Sequence, residues 1–192
     1  MVSAGATLGL MPASGSLTGA PGATVGWGFT IANPTAGTWI EVTSAAFCAG
    51  SSGTSTQCAP ATIGTFTDYI SGYGDVVVGA SPDSTSVTQG FSAAGHQGIA
   101  GFLITAASGQ TGTGQIVLTY NVFSRSPHDA AFNPDTDTVS TDNFLTAAAS
   151  VTVVNAPPPT PAPPALWLTL TAGLCLLGER LWRRRALPTS RG

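Results

Sequence analysis

The ten residues ATVGWGFTIA, Ala23–Ala32, give the clearest signal of the fold. Apolar side chains alternate in them with small or polar ones, which is the period of a strand with one face in the core and one in water. The alternating apolar residues are Val25, Trp27, Phe29 and Ile31. Pro-Gly precedes the stretch and Asn-Pro follows it, and both pairs favour turns because Pro fixes φ and Gly accepts a positive φ. The sequence therefore predicts a half-buried strand between two turns.

The same alternation recurs up to residue 155, interrupted by clusters of Gly, Ser, Pro and Asn. About seven to nine short strands without helices between them favour an all-β fold, specifically an immunoglobulin-like antiparallel β-sandwich. A barrel or a jelly roll is the alternative. The further predicted strands are Trp39–Phe47, Phe66–Ile70, Asp75–Gly79, Thr85–Phe91, Ile99–Thr105, Gly114–Phe123 and Ala147–Val154.

The charge of residues 1–155 excludes one class of function. This part contains eight acidic side chains and one basic side chain, Arg125, and the chain has no lysine. Its formal charge is therefore near −7. Phosphate backbones are repelled by such a charge, and no basic patch is present to attract them. Nucleic-acid binding is not expected.

The composition changes abruptly after residue 155. Residues 156–165, APPPTPAPPA, cannot donate ladder hydrogen bonds, and they predict an extended stalk of roughly 30 Å. An uncharged apolar run starts at Ala165. Continued to Trp182 as a helix it would be about 27 Å long, close to the thickness of the hydrocarbon layer. We therefore predict one short transmembrane helix over residues 165–182; a buried core helix is the alternative.

Positive charge is concentrated at the end of the chain. Five of the six arginines lie in the last 13 residues, including Arg183, Arg184 and Arg185. Basic clusters beside a membrane helix stay on the cytoplasmic side. Residues 183–192 are therefore expected to be a basic cytoplasmic tail, and residues 1–155 an extracytoplasmic domain.

The order of the tail, Pro161-Ala162-Pro163, then the apolar run, then the triple arginine, resembles the PEP-CTERM sorting signal of bacterial exported proteins. In that family a Pro-Glu-Pro motif precedes a transmembrane stretch and a basic cluster; Ala162 stands at the place of the glutamate. The resemblance covers about 30 residues of the tail. It implies a membrane-bound exosortase-type sorting enzyme as a partner, release to the cell surface, and exopolysaccharide as a second partner.

Residues 1–17, MVSAGATLGLMPASGSL, have no basic n-region and no apolar h-region of about seven or more residues. Exported proteins need such a segment, so we expect the true start to lie upstream of Met1. The alternative is a tail-anchored protein with a cytoplasmic β domain, although the basic cluster would then have to cross the membrane.

Two cysteines flank a Gly/Ser/Thr loop. Cys48 and Cys58 are expected to form a disulfide in an oxidising compartment, which would stabilise the fold by roughly 3 kcal/mol. The alternative is a pair of free thiols that act as small hydrophobes.

The sequence does not predict an enzyme or a cofactor. His96 and His128 lie among turn residues, away from any metal-ligand spacing, and no nucleophile elbow or phosphate-binding loop is present. Asn133, Asp135 and Asp137 alternate as calcium ligands do, so they are candidates for a weak calcium site. The alternative is that these side chains form turns and cap their own backbone.

Aromatic residues suggest a second hypothesis. Trp27, Trp39, Tyr69, Tyr73 and Tyr120 could line a sugar-binding face, although the period of its strand places Trp27 in the core. The sequence thus predicts an exported, membrane-tethered structural protein of the cell surface or extracellular matrix. A carbohydrate- or protein-binding module at the cell surface is the alternative.

Overall fold

A computed structural model of the chain describes residues 5–50, 58–80 and 85–156. These residues form an all-β domain, as predicted, with ten strands and two four-residue helices. The compact unit to which they belong extends to Ala156. The elements are β1 (Thr7–Met11), β2 (Ser16–Gly19), β3 (Thr24–Ala32), β4 (Trp39–Ala49), β5 (Gly64–Asp68), α1 (Ile70–Tyr73), β6 (Val76–Val78), β7 (Ser86–Gln89), β8 (Ala100–Ile104), β9 (Thr111–Phe123), α2 (Pro134–Asp137) and β10 (Thr138–Val153).

Each predicted strand overlaps a strand of the structure. The prediction Phe66–Ile70 extends past the end of β5 into helix α1, and the larger differences lie at β1, β2 and β10. The short strands β1 and β2 were not among the predicted strands. Each has one buried apolar side chain, Leu10 and Leu17, which is too few to reveal a period of two. Strand β10 begins at Thr138, well before the predicted start at Ala147. Its first half is mostly exposed, and an exposed strand does not need the apolar period by which strands are recognised.

The strands form two sheets. The first has the order β1-β3-β8-β5, with β7 also paired to β3, and the second has the order β2-β10-β9-β4-β6. Among the described strand pairs only β2 and β10 are parallel, from Ser16 beside Ser150 to Gly19 beside Val153. The expectation of a wholly antiparallel fold is wrong at this pair. Because β1 and β2 belong to different sheets, β2 forms no hairpin with β1 and can run alongside β10.

The crossing between the two sheets is made by the turn that ends at Gly15. Gly15 has a φ of 67°, and a Cβ atom there would overlap the carbonyl oxygen of Ala148 in β10. Its own carbonyl oxygen accepts two hydrogen bonds, from Trp27 Nε1 at 2.8 Å and from the Ser150 amide at 3.0 Å. Only glycine fits such a close approach with a positive φ.

One hydrophobic core is built from both sheets. Trp27 and Phe102 of the first sheet contact Phe47 of the second, with ring centroids 5.9 Å (Trp27–Phe47) and 5.7 Å (Phe47–Phe102) apart. Aromatic rings at these distances add to the gain from burial alone. The largest fully buried side chains are Trp27, Phe29, Phe102, Ile31, Ile99, Ile104, Ile116, Leu118, Val78, Val117, Val151 and Val153.

We expect Trp27→Phe to lower the free energy of unfolding by about 2 kcal/mol, because it leaves a void and removes the hydrogen bond to Gly15. Trp39→Phe is the matched control, since Trp39 is only partly buried at the start of β4 and should cost about 1 kcal/mol or less. Denaturant unfolding followed by far-UV circular dichroism measures both. Equal losses for the two variants would contradict the role given to Trp27.

Candidate functional site

The strongest candidate site is an aromatic cleft formed by Tyr69, Tyr73, Phe91 and His96, with Asp75 and Gln89 on its walls. Helix α1 and the strand β6 that follows it supply one side. The loop between β7 and β8 supplies the other. Residues far apart in the sequence therefore meet at this place.

Asp68, at the end of β5, positions helix α1. Its Oδ1 atom accepts a hydrogen bond from the Ile70 amide at 2.8 Å, and its Oδ2 atom accepts one from the Ala45 amide at 3.0 Å. Ala45 belongs to β4 of the second sheet, whereas β5 belongs to the first. The carboxylate thus ties the turn that bears both tyrosines to the two sheets, and burial of Ile70 secures it.

The loop at residues 90–99 presents His96. Ser92 and Gln97 exchange both backbone hydrogen bonds at 3.0 Å, and Gln89 Oε1 accepts from the Gly98 amide at 2.8 Å. His96 itself has a φ of 47°. A non-glycine residue in this left-handed region is uncommon, and here the surrounding hydrogen bonds hold it with its ring toward α1.

The rings of the cleft are closely packed. Those of Tyr73 and His96 are stacked, 3.9 Å between centroids and 3° between planes. Tyr69 stands perpendicular to both, 5.7 Å from Tyr73 and 5.1 Å from His96, and is stacked on Phe91 at 6.3 Å. Tyr69 is 7% exposed and Tyr73 is 56% exposed. The buried ring of Tyr69 therefore supports the cleft from inside, and the ring of Tyr73 is exposed to solvent.

A cavity of about 80 Å³ lies beside these rings, lined by Asp75 and Gln89 among others. Pockets that enclose a drug-sized ligand measure about 300 Å³ or more. A ligand of this cleft would therefore lie mostly on its surface. Within the described part of the chain, no hydrogen bond or ion pair engages the Asp75 carboxylate, which leaves it able to accept bonds from a ligand.

Glu41 adds negative charge near the same edge of the domain. Burial raises the pKa of this carboxyl above 4.5, the nearby Asp75 carboxylate raises it further, and His128 opposes the shift. A raised pKa means that the folded state binds the proton more tightly than the unfolded state. The ionised form of Glu41 therefore destabilises the fold, and this cost appears as the pH rises above 4.5 through the folded pKa.

We expect Glu41→Gln to raise the melting temperature at pH 7, because the variant has no carboxylate to desolvate beside Asp75. The gain should disappear at pH values below about 4, where the carboxyl of the native protein is protonated in both states. Asp135→Asn removes the same charge from an exposed position in α2 and is the control. A gain that does not depend on pH, or that the control reproduces, would contradict this account.

A larger depression of about 400 Å³ lies against β9 and β10. Its described lining consists of small or neutral residues and offers no titratable group; they are Gly50, Thr113, Gly114, Gln115 and Ala148. Chemistry that needs charge or proton transfer has no support among them.

The structure joins Cys48 and Cys58 as a disulfide, with their Cα atoms 4.4 Å apart. Cys48 is 1% exposed at the end of β4, and the Ala49 amide donates a hydrogen bond to Ala59 across the closed loop. The disulfide therefore holds Cys58 and Ala59 beside the end of β4 in the second sheet.

We expect Cys48 and Cys58 to resist alkylation in denaturant unless a reductant is added, as mass spectrometry of peptides would show. Cys175 should react in either case and is the internal control. Reduction should lower the free energy of unfolding by roughly 3 kcal/mol, the effect of opening a loop of this size. Ready alkylation of both residues without reductant would refute the pairing.

The candidate calcium residues Asn133, Asp135 and Asp137 lie in and before helix α2. Asn133 Oδ1 accepts from the Asp135 amide at 3.1 Å, and Asp137 Oδ2 accepts from the Asn133 amide at 2.9 Å. Asp137 also faces Arg125 at 3.6 Å. No group of three metal-ligating His, Cys, Asp or Glu side chains occurs in the described residues. A cation at this turn would compete for these side-chain oxygens with the backbone amides that already donate to them and with Arg125.

The other predicted residues divide into two groups. Trp27 lies in the core, whereas Trp39 and Tyr120 are partly buried, and burial raises the pKa of Tyr120. The sorting motif Pro161-Ala162-Pro163, the basic cluster Arg183, Arg184 and Arg185, and the helix predicted over residues 165–182 lie outside the described residues. Among the helices that the structure describes, none is long and apolar enough to span a bilayer.

Sequence reasoning named Tyr69 and Tyr73 as aromatic candidates but missed His96, Gln89 and Asp75 as their neighbours. The four-residue spacing of the two tyrosines was the available signal, because it places both side chains on one side of a helical turn. The position of His96 depends on the pairing of β7 and β8 with β3, which no local pattern reveals.

No protein-family model matches the chain, and no curated protein matches it. One similar solved structure is described as "AvmM Catalyzes Macrocyclization in Alchivemycin A Biosynthesis". It is 13% identical, with a TM-score of 0.24, over 82% of this chain and 91% of that chain. A likeness at this level does not bear on the function of the chain.

Proposed function

We propose that the chain is an exported, membrane-tethered structural protein of the cell surface or extracellular matrix, with its β domain outside the cytoplasm. The observation on which the proposal rests most is the Cys48–Cys58 disulfide, because such bonds persist in oxidising compartments and are rare in the cytosol. The proposal assigns no catalytic residue and no cofactor.

The tail supports the same location. The proline-rich stretch 156–165 suits a stalk, residues 165–182 suit a short membrane helix, and Arg183–Arg185 suit its cytoplasmic end. The resemblance to a PEP-CTERM signal adds an exosortase-type enzyme that acts near Pro161-Ala162-Pro163. Under this proposal the protein is delivered to the envelope and then retained by the tail or released.

We also propose that the β domain is an immunoglobulin-like sandwich. That fold places strands A, B, E and D in one sheet and strands C, F and G in the other. The order β1-β3-β8-β5 corresponds to A-B-E-D, and β10-β9-β4 corresponds to G-F-C. Strand β6 would then extend the second sheet beside β4, and β7 would be an additional strand beside β3.

The first test is protease accessibility in intact cells that express the gene with its upstream DNA. We expect the β domain to be digested, if necessary after permeabilisation of the outer membrane, while a cytoplasmic control protein stays intact. Export and the positive-inside orientation of the tail are the physical reasons. Protection until the inner membrane is broken would contradict the proposal.

The aromatic cleft favours a second candidate function, a carbohydrate-binding module at the cell surface. Tyr73 presents an aromatic ring that is 56% exposed and stacked on His96 beside a small cavity. Sugar rings pack their C–H faces against such rings. This function is compatible with the proposed location, since extracellular polysaccharide would be within reach of the domain.

A further inference from the structure

We propose that the aromatic cleft binds a polysaccharide through a neutral sugar ring stacked on Tyr73, and that Asp75 rejects sugars with acidic groups. This inference rests on the second candidate function and specifies its ligand class.

The stacking surface is the solvent side of Tyr73. Its ring lies against His96 at 3.9 Å and perpendicular to Tyr69, and both contacts favour this orientation before any ligand arrives. The 56% exposure of Tyr73 leaves the remaining ring surface to solvent. A rigid ring gains more from a contact than a mobile one, because less side-chain freedom is lost on binding.

The hydrogen-bonding groups lie in the small cavity next to that ring. Gln89 uses its Oε1 atom for the Gly98 amide, which leaves its amide nitrogen as a donor on the cavity wall. The Asp75 carboxylate, unengaged among the described residues, can accept bonds from two hydroxyl groups. Neighbouring hydroxyls of a sugar ring match this pair of groups, and a cavity of about 80 Å³ admits an edge of the ring.

Charge selects among sugars. The Asp75 carboxylate lies on the wall of the cavity. Burial is the main cause of the raised pKa of Glu41, and the nearby Asp75 carboxylate raises it further, so negative charge is concentrated here. The one arginine of the described domain, Arg125, is paired with Asp129 and Asp137. A uronic acid or a sulfated sugar at the cleft would therefore meet the Asp75 carboxylate, and no arginine among the described residues is left unpaired to offset it. A neutral sugar would not meet this repulsion.

The test measures retention of the full chain, in detergent, on insoluble neutral polysaccharides (cellulose, starch and chitin) and on cross-linked alginate, a polyuronate. We expect retention on at least one neutral polymer and a loss of about fivefold or more in Tyr73→Ala, the size expected for an aromatic anchor. Phe144→Ala is the matched control, since Phe144 is 39% exposed and lies outside the cleft. It should bind as the native protein does.

The acid-rejection step is tested with Asp75→Asn. We expect this variant to gain retention on alginate at low salt, whereas Asp135→Asn, which removes the same charge away from the cleft, should not. Unchanged neutral binding in Tyr73→Ala, or equal behaviour of the two Asp variants, would overturn the inference but leave a carbohydrate-binding function standing. Failure of the native chain to bind any of the neutral polymers would overturn both, while protease accessibility tests export separately.

Discussion

The fold depends on the carbonyl oxygen of Gly15. It accepts one hydrogen bond from the indole of Trp27 in the first sheet and one from the amide of Ser150 in the second. A domain with very few charges has little besides burial and backbone pairing to hold two sheets together. This one polar atom links the two sheets, and the rings of Trp27, Phe47 and Phe102 pack between them, Trp27 stacked on Phe47 and Phe102 edge-on to both.

The positions of most strands were predictable, because the alternation of apolar residues and the turn residues between strands are local properties of the sequence. Trp27, Phe29 and Ile31 are completely buried, as the alternation within β3 indicates. The pairing of strands was not predictable in the same way. The parallel contact of β2 with β10 joins residues more than a hundred positions apart. The first half of β10 has no apolar pattern because most of its side chains are exposed.

In the candidate site, too, the residues of one local segment were predictable, whereas the contacts between distant segments were not. Tyr69 and Tyr73 could be named from the sequence because aromatic side chains are the residue type that a sugar-binding face needs. The ring on which Tyr73 stacks comes from another loop, and the sequence does not reveal this contact. At the Asn and Asp residues of positions 133–137, the sequence pattern indicates a site, but the structure shows local hydrogen bonds. Their spacing resembles that of calcium ligands, whereas in the fold Asn133 and Asp137 accept hydrogen bonds from nearby amides, a local alternative that composition alone does not distinguish.

The long last strand has a mechanical consequence. Strand β10 pairs with β9 along most of its length and with β2 near its end, and the chain leaves the domain just beyond it at Ala156. Hydrogen bonds between strands lie across the strand direction. A pulling force applied at Ala156 along β10 would therefore load these bonds together in shear, where many must break at once, and would not peel them apart one by one. The proposed attachment through the C-terminal tail would apply force in this way, and the domain would resist it through many hydrogen bonds at once.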